Sequence, residues 1–389
     1  MNKLSSMTRL GVLCAAGMLL AGCERPPPDV VQQGYRGTGM DAVQNPRVKA
    51  ELFAKNVLPP MPPALPHVEG VPMARDVYKN LQVLTDLDVA QLGQVMAAQA
   101  NWIAPKEQCA YCHNVDDYAS DEKYTKVVAR RMIQMTRDIN VNWQGHVKEI
   151  GVTCYTCHRG RAVPEYTWFT PLPPPTQGGM AGNRDGQNYP APSVLLSSLP
   201  YDPYTPFLLE AQPIRVEAGR PLPGGDKATI GATERTYALM MSISKSMGVN
   251  CTHCHATQHF ATWTGTPPTR VQAWWAIRMN RHLNNEYLVP LTGTFPASRL
   301  GPTGDVAKVY CETCHQGVPK PFNGVSMLTS YPEYARISPP PPPPEAAPAT
   351  DGSAAAADGT APADAAPADG VAATTAEVPA AGATVAGAS

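Results

Sequence analysis

Beyond one apolar run near the N-terminus, no stretch approaches the about 20 uninterrupted apolar residues that a membrane-crossing helix needs. The body of the chain therefore does not span a bilayer. Charge of one sign is missing as well: 31 Lys and Arg stand against 32 Asp and Glu, a formal net charge of −1. With no basic excess, nucleic acid is excluded as a partner. Spare cysteine is absent: eight of the ten cysteines recur in one motif, leaving only Cys14 and Cys23. Histidine is scarce too. Of nine, four belong to that motif, and the other five are His67, His146, His253, His259 and His282.

The motif is Cys-x-x-Cys-His, in four copies. They are Cys109–His113, Cys154–His158, Cys251–His255 and Cys311–His315, with second cysteines Cys112, Cys157, Cys254 and Cys314. This spacing is the attachment signal for c-type haem. Two thiols form thioethers to the porphyrin vinyls, and the adjacent His113, His158, His255 or His315 becomes the proximal iron ligand. A structural zinc site has no reason to place histidine directly after each cysteine pair. A thioredoxin-like pair would occur once. The cofactors implied are four covalently bound haem c groups.

Lys3 and Arg9 precede an apolar run, Leu10 to Leu20, which ends in Leu20-Ala21-Gly22-Cys23. That is a lipoprotein signal peptide over 1–22, with Cys23 left as the acylated first residue. The run is too short for a bilayer of about 30 Å. Cleavage removes Cys14, so every remaining cysteine has a role and none is left for a disulfide. It also removes two positive charges, and the more negative surface suits a basic soluble redox partner. Export and acyl anchoring place the chain on the periplasmic face of a bacterial inner membrane.

Three stretches look non-core: a lipid-anchored Pro/Gly-rich arm, 23–72, expected to be extended; a Pro-rich connecting segment, 164–228; and a Pro/Ala-rich tail, 338–389. The tail lacks the large apolar residues that offset ordering entropy and is expected to be disordered. Between them lie two motif-bearing halves, 73–163 and 229–337. Each runs helix, motif, helix, motif, and Met135-Thr-Arg137-Asp138-Ile139-Asn140 echoes Met279-Asn-Arg281-His282-Leu283-Asn284. The fold expected is mainly α with long irregular segments. It is a multihaem cytochrome with two pseudo-symmetric two-haem halves, the haems forming much of the core.

An iron with one protein ligand can bind substrate, whereas one with two is built for electron transfer. Met96 lies on a helix-like segment, roughly 86–100, before the first motif. In 122–140, Val128, Met132, Met135 and Ile139 share one helical face. Thr236, Met240, Ile243 and Met247 do the same before the third motif. The commoner fate of such methionines is core packing, and the pattern does not choose between Met132 and Met135, or among Met240, Met241 and Met247. No Met or His occurs from Leu283 to Tyr310, so the fourth site must draw on Met279, His282 or His146.

Several segments are more specific. They include Val31-Gln-Gln-Gly-Tyr-Arg-Gly, Gly151-Val-Thr-Cys-Tyr-Thr-Cys-His-Arg-Gly and Ala238-Leu-Met-Met-Ser-Ile-Ser. Further ones are Ala273-Trp-Trp-Ala-Ile-Arg-Met, Pro296-Ala-Ser-Arg-Leu-Gly and Cys311-Glu-Thr-Cys-His-Gln-Gly-Val. Over about residues 23–335 the chain resembles the tetrahaem cytochrome c subunit of the photosynthetic reaction centre of purple bacteria. The resemblance implies three His/Met haems and one bis-His haem. The distal ligands it implies are Met96, Met132 and Met240 for the first three motifs and His146 for the fourth. In the chain, Met96 precedes the first motif, Met132 and His146 the second, and Met240 the third. Arg270 is similar to an arginine that tunes the third haem, although the loop before it differs slightly in length.

The resemblance implies an electron-transfer subunit, not an enzyme, with all irons six-coordinate. It would accept electrons from a soluble cytochrome c or high-potential iron–sulfur protein at the first motif's haem. From the third motif's haem it would re-reduce the photo-oxidised bacteriochlorophyll special pair held by the reaction centre membrane subunits. A membrane-anchored multihaem carrier serving a respiratory complex is the alternative, although such a wire is often richer in distal histidine. A nitrite- or hydroxylamine-converting enzyme would need an open iron, and no motif here has Lys replacing its proximal His.

Overall fold

The computed structural model describes residues 26–32, 40–173, 186–216 and 228–337. The leader over 1–22, Cys23 and the tail over 338–389 lie outside the described residues. What is described is mainly helical, with long irregular connections and little strand. Strand β1 (Asp29–Gln32) pairs antiparallel with β2 (Asp41–Gln44), Val30 opposite Val43. The helices follow as α1 (Pro46–Lys55), α2 (Ala74–Val77), α3 (Val89–Ile103), α4 (Tyr124–Asn142), α5 (Gln144–Val147), α6 (Cys154–His158), α7 (Ile230–Met247), α8 (Thr269–His282) and α9 (Cys311–His315). Among the described residues, no helix is long and apolar enough to cross a membrane.

Local chemistry explains where the long helices begin and end. Asp88 caps α3 through a reciprocal pair of hydrogen bonds. Its Oδ1 accepts from the Gln91 N–H at 2.8 Å, while Gln91 Oε1 accepts from the Asp88 N–H at 3.3 Å. The helix stops at Ala104, because the residue before Pro105 is pushed out of helical geometry. Thr229 caps α7 by accepting from the Ala232 N–H at 3.1 Å. Gly248 ends α7 in the left-handed region, with φ at 63°, a position that favours glycine. A Cβ there would collide with the Gly317 carbonyl. α8 continues into a π-helical turn, Leu283–Leu288.

Among the described residues, three apolar clusters form the core, and each draws on distant segments. In the first, Leu92, Val95, Ala98 and Trp102 of α3 meet Ile133, Phe322, Met327, Tyr331 and Tyr334. Trp102 meets Tyr331 edge-on at 4.7 Å, a favoured aromatic geometry. The second joins Leu239 and Ile243 of α7 to Ile277, Trp168, Tyr204, Phe207 and Leu208. The third joins Met135, Ile139 and Val152 to Met279, Leu283 and Tyr287. Motif-bearing segments from both ends of the chain thus share cores.

Two expectations need correction. The Pro-rich segment 164–228 is not outside the core, because it buries Trp168, Val194, Tyr204, Phe207 and Leu208. Proline fixes φ and removes a donor, but neither effect stops neighbouring aromatics from burying. Trp168 also exchanges both backbone hydrogen bonds with Lys308, at 3.0 and 2.8 Å. Nor is the arm extended throughout. Asn45 caps α1 by accepting from the Arg47 N–H at 3.0 Å, and Pro46 opens the helix with its φ already set. Past its end, Asn56 accepts from Arg159 at 2.9 Å and donates to the Gln316 carbonyl at 3.3 Å. The arm therefore ties to the residues that follow the second and fourth motifs.

Candidate haem sites

The four motifs adopt two alternating local forms. The second and fourth are true helical turns, α6 and α9. Each is capped by a threonine three residues inside, with the Thr153 N–H donating to Thr156 and the Tyr310 N–H to Thr313, both at 3.0 Å. Each turn ends on a left-handed residue, Arg159 (φ 46°) or Gln316 (φ 47°), followed by a glycine at positive φ. The first and third motifs are tighter 3₁₀ turns, Gln108–Tyr111 and Cys251–His253. In these the histidine ring packs on an aromatic five residues on, His113 with Tyr118 at 5.2 Å and His255 with Phe260 at 5.4 Å.

A haem-ligating histidine needs one ring nitrogen for iron and gains orientation when the other is hydrogen-bonded. His158, His255 and His315 meet that need. Their Nδ1 atoms lie 2.8, 3.0 and 3.0 Å from the carbonyls of Arg161, Phe260 and Val318, which leaves Nε2 free. His113 Nδ1 is buried without a partner. Burial lowers the pKa of all four histidines, so the neutral, ligating form holds at neutral pH. Burial pushes the Cys112 and Cys154 thiols up to about 11 and Cys311 to about 12. The donor set fits covalent haem: two cysteines, then a neutral histidine, held by its far nitrogen in three of the four motifs. Among the described residues, no three His, Cys, Asp or Glu converge as a free metal site, which a zinc reading would require.

The distal candidates are arranged unequally. Met96, Met132 and Met240 are each only partly buried, at the edge of an apolar cluster. Met135 and Met279 are packed inside the third cluster. His146, on α5, lies beside His315, with ring centroids 5.8 Å apart and planes tilted by 57°. Its Nδ1 lies 3.2 Å from the Gln272 carbonyl on α8. Burial, then the nearby His315, lowers its pKa to about 4. His282 is engaged elsewhere, with Nε2 3.0 Å from Asp138. His67 lies against the Asp88 carboxylate at 2.9 Å.

The motifs also touch one another. Cys112 is close enough to Cys154 for a thiolate there to be felt. Cys157 Sγ lies 3.0 Å from Cys314 Sγ, and this contact holds Cys157 above and Cys314 below the ordinary thiol value. A charge on His253, inside the third motif, would disfavour one on His315. The second and fourth motifs are therefore neighbours in space. Arg270 clips the loop after the third motif. Its guanidinium donates to the carbonyls of Phe260, at 3.1 Å, Ala261, at 3.3 Å, and Thr262. It also stacks 4.4 Å above the Trp263 ring, a cation–π contact. The Phe260 carbonyl thus receives both His255 Nδ1 and Arg270. Sequence reasoning missed these carbonyl partners, because nothing in the motif marks which downstream peptide the histidine will reach.

A mainly helical chain that presents oriented Cys-x-x-Cys-His turns is a c-type cytochrome. The family model for the photosynthetic reaction centre cytochrome C subunit matches residues 24–335. The chain is 50% identical over 327 residues to the photosynthetic reaction center cytochrome c subunit of Rubrivivax gelatinosus, covering 84% of this chain and 88% of that protein. It is 45% identical over 333 residues to the Thermochromatium tepidum subunit, with 85% and 81% covered. The Roseobacter denitrificans subunit is 39% identical over 320 residues, with 78% and 85% covered. The chain belongs to the family of photosynthetic reaction centre cytochrome c subunits. It is an electron-transfer subunit of that membrane-associated complex, with covalently bound haem c.

Proposed function

We propose that the chain binds four haem c groups as a one-electron wire running from the first motif, through the second and fourth, to the third. The contact of Cys157 with Cys314 carries this reading, because it makes motifs distant in sequence neighbours in space. The repeated order of helix, motif, helix, motif supports two pseudo-symmetric two-haem halves whose haems complete the core.

Cys109 and Cys112, Cys154 and Cys157, Cys251 and Cys254, and Cys311 and Cys314 would hold the porphyrins. His113, His158, His255 and His315 would be proximal ligands, and Met96, Met132, Met240 and His146 distal ones, closing every iron. When bound, haem supplies a one-electron redox couple. A thioether is the poorer donor to ferric iron, so the Met ligands raise potentials and His146 lowers one. Arg270 would raise the potential at the third motif, since its charge draws on the same Phe260 carbonyl that orients His255.

Electrons would leave at the third motif for the bacteriochlorophyll special pair. Exposed Phe260, Trp263, Val271 and Trp274 surround that end, as an apolar docking face on the reaction centre membrane subunits would need. The first motif would receive electrons from a soluble cytochrome c or high-potential iron–sulfur protein. Acylation of Cys23 would anchor the chain to the periplasmic face of the photosynthetic membrane.

Met240→His should lower the potential of the third motif's haem by on the order of 0.1 V, part of the roughly 0.8 V over which axial ligation acts. It should also slow donation to the special pair. An unchanged redox titration of that haem would reject Met240 as its ligand. For the anchor, Cys23→Ser should release the subunit from detergent-free membranes depleted of reaction centres. Complete retention on those membranes would contradict lipid anchoring.

A further inference from the structure

Two asparagines hold equivalent places in the repeated hexapeptide. Asn140 ends Met135-Thr-Arg-Asp-Ile-Asn and Asn284 ends Met279-Asn-Arg-His-Leu-Asn. Both side chains are buried, with residue exposures of 1% and 0%. The Asn140 Nδ2 donates to the Val152 carbonyl at 2.8 Å while its Oδ1 accepts from the Val152 N–H at 2.7 Å. The Asn284 Nδ2 donates to the Val309 carbonyl at 3.0 Å while its Oδ1 accepts from the Val309 N–H at 2.9 Å. Each amide spends its second N–H on another segment, Asn140 on the Tyr334 carbonyl at 3.0 Å and Asn284 on the Leu208 carbonyl at 3.1 Å.

Val152 and Val309 occupy equivalent places, each two residues before the first cysteine of its motif. An asparagine that engages both polar groups of one peptide, plus a third partner, uses nearly all of its bonding capacity. Aspartate cannot donate, and serine cannot reach both groups at once. In the first and third sites the proposed distal helix runs almost straight into its motif: α3 ends at Ile103 before Cys109, and α7 at Met247 before Cys251. In the second and fourth a longer connection, holding α5 in one and the π-helical turn in the other, separates the asparagine's helix from the motif, and the clamp carries the helix position across it. The clamp spans 12 residues for Asn140 and 25 for Asn284.

We infer that Asn140 and Asn284 are positioning residues that set the axial geometry of the second and fourth haem sites. The inference rests on the ligand assignment proposed above. Helix α4 carries Met132 two turns before Asn140, so one helix holds both the distal thioether and, through the clamp, the motif bearing His158. Helix α8 carries Gln272, whose carbonyl orients His146, and leads into Asn284, which holds the motif bearing His315. One rigid element thus fixes both sides of each site, the condition for precise ligand placement.

The test is Asn140→Leu and Asn284→Leu in the assembled complex, substitutions that add no charge. Each variant is read by redox titration and by the charge-transfer band of the ferric–thioether bond. N140L should weaken that band at the second site and lower its potential by about 59 mV or more, a tenfold change in the ratio of oxidised to reduced haem. The fourth site should be unaffected. N284L should raise the potential of the fourth site and leave the second unchanged. Unaltered potentials, or equal shifts at all four sites with a fall in thermal stability, would overturn the inference. Should either leucine variant fail to accumulate, Asn→Ser at the same position keeps one hydrogen bond and is held to the same site selectivity. Met132→Leu separates the two readings. A second-site thioether band that survives it rejects the ligand assignment, whatever the asparagine variants do.

Discussion

Replacing His146 by methionine should raise the potential of the fourth motif's haem by on the order of 0.1 V, again a fraction of the roughly 0.8 V that axial ligation spans. The His146 and His315 ring centroids lie 5.8 Å apart, and both Nδ1 atoms are committed to backbone carbonyls, of Gln272 and Val318. That leaves Nε2 of each imidazole as the nitrogen available to a metal. A second imidazole stabilises ferric iron better than a thioether does, so exchanging it removes stabilisation from the oxidised form. The side chains are of similar reach, and burial keeps the His146 ring neutral at neutral pH, so no charge is lost. The fourth site would move towards the other three, flattening a well in the middle of the row. Redox titration of the variant checks this. A fourth haem that keeps its wild-type potential would remove His146 from the coordination sphere and return the choice to Met279 or His282.

Asp86→Ala should be the most damaging substitution away from the haem sites, costing about 3–5 kcal/mol by leaving a buried charge without its partner. Arg137 is 1% exposed and meets Asp86 through two parallel hydrogen bonds, of 2.8 and 3.0 Å, the strong bidentate form of such a pair. Arg336 approaches the same carboxylate at 3.7 Å. Nearby, Glu333 has a buried, unpartnered Oε1, and burial raises its pKa. Removing Asp86 leaves the buried Arg137 guanidinium without its carboxylate. The equivalent arginine of the second hexapeptide, Arg281, is half-buried and donates to the Phe207 carbonyl at 3.0 Å, so Arg281→Leu should cost much less. Thermal unfolding of the two variants compares them. Equal losses would show that the Asp86 pair is not what holds α4 in place.

Much of the site was legible in the sequence. The four motifs spell their chemistry at fixed spacing, and the helices bearing the candidate methionines announce themselves by period. The segments read as 86–100 and 122–140 are α3 over 89–103 and α4 over 124–142, displaced by only a few residues. Long-range geometry was not legible. Trp168 and Phe207 sit among prolines, and local composition held no sign that α7 would bury them. The sulfur contact of Cys157 with Cys314 and the clamps of Asn140 and Asn284 join segments whose sequence separation carries no signal. The repeated hexapeptide did mark Asn140 and Asn284 as equivalent. It could not say that each would hold the peptide just ahead of a motif, since an asparagine mid-helix more often faces solvent or its own helix.

Flash spectroscopy decides whether this chain feeds electrons directly to the special pair. Membranes from the source organism, washed free of soluble cytochromes, would be given a single flash. The expected result is rapid oxidation of membrane-bound c-type haem that is absent when this gene is deleted. Flash-induced pigment oxidation that decays with no accompanying haem oxidation would contradict it, and would assign the wire to a respiratory partner.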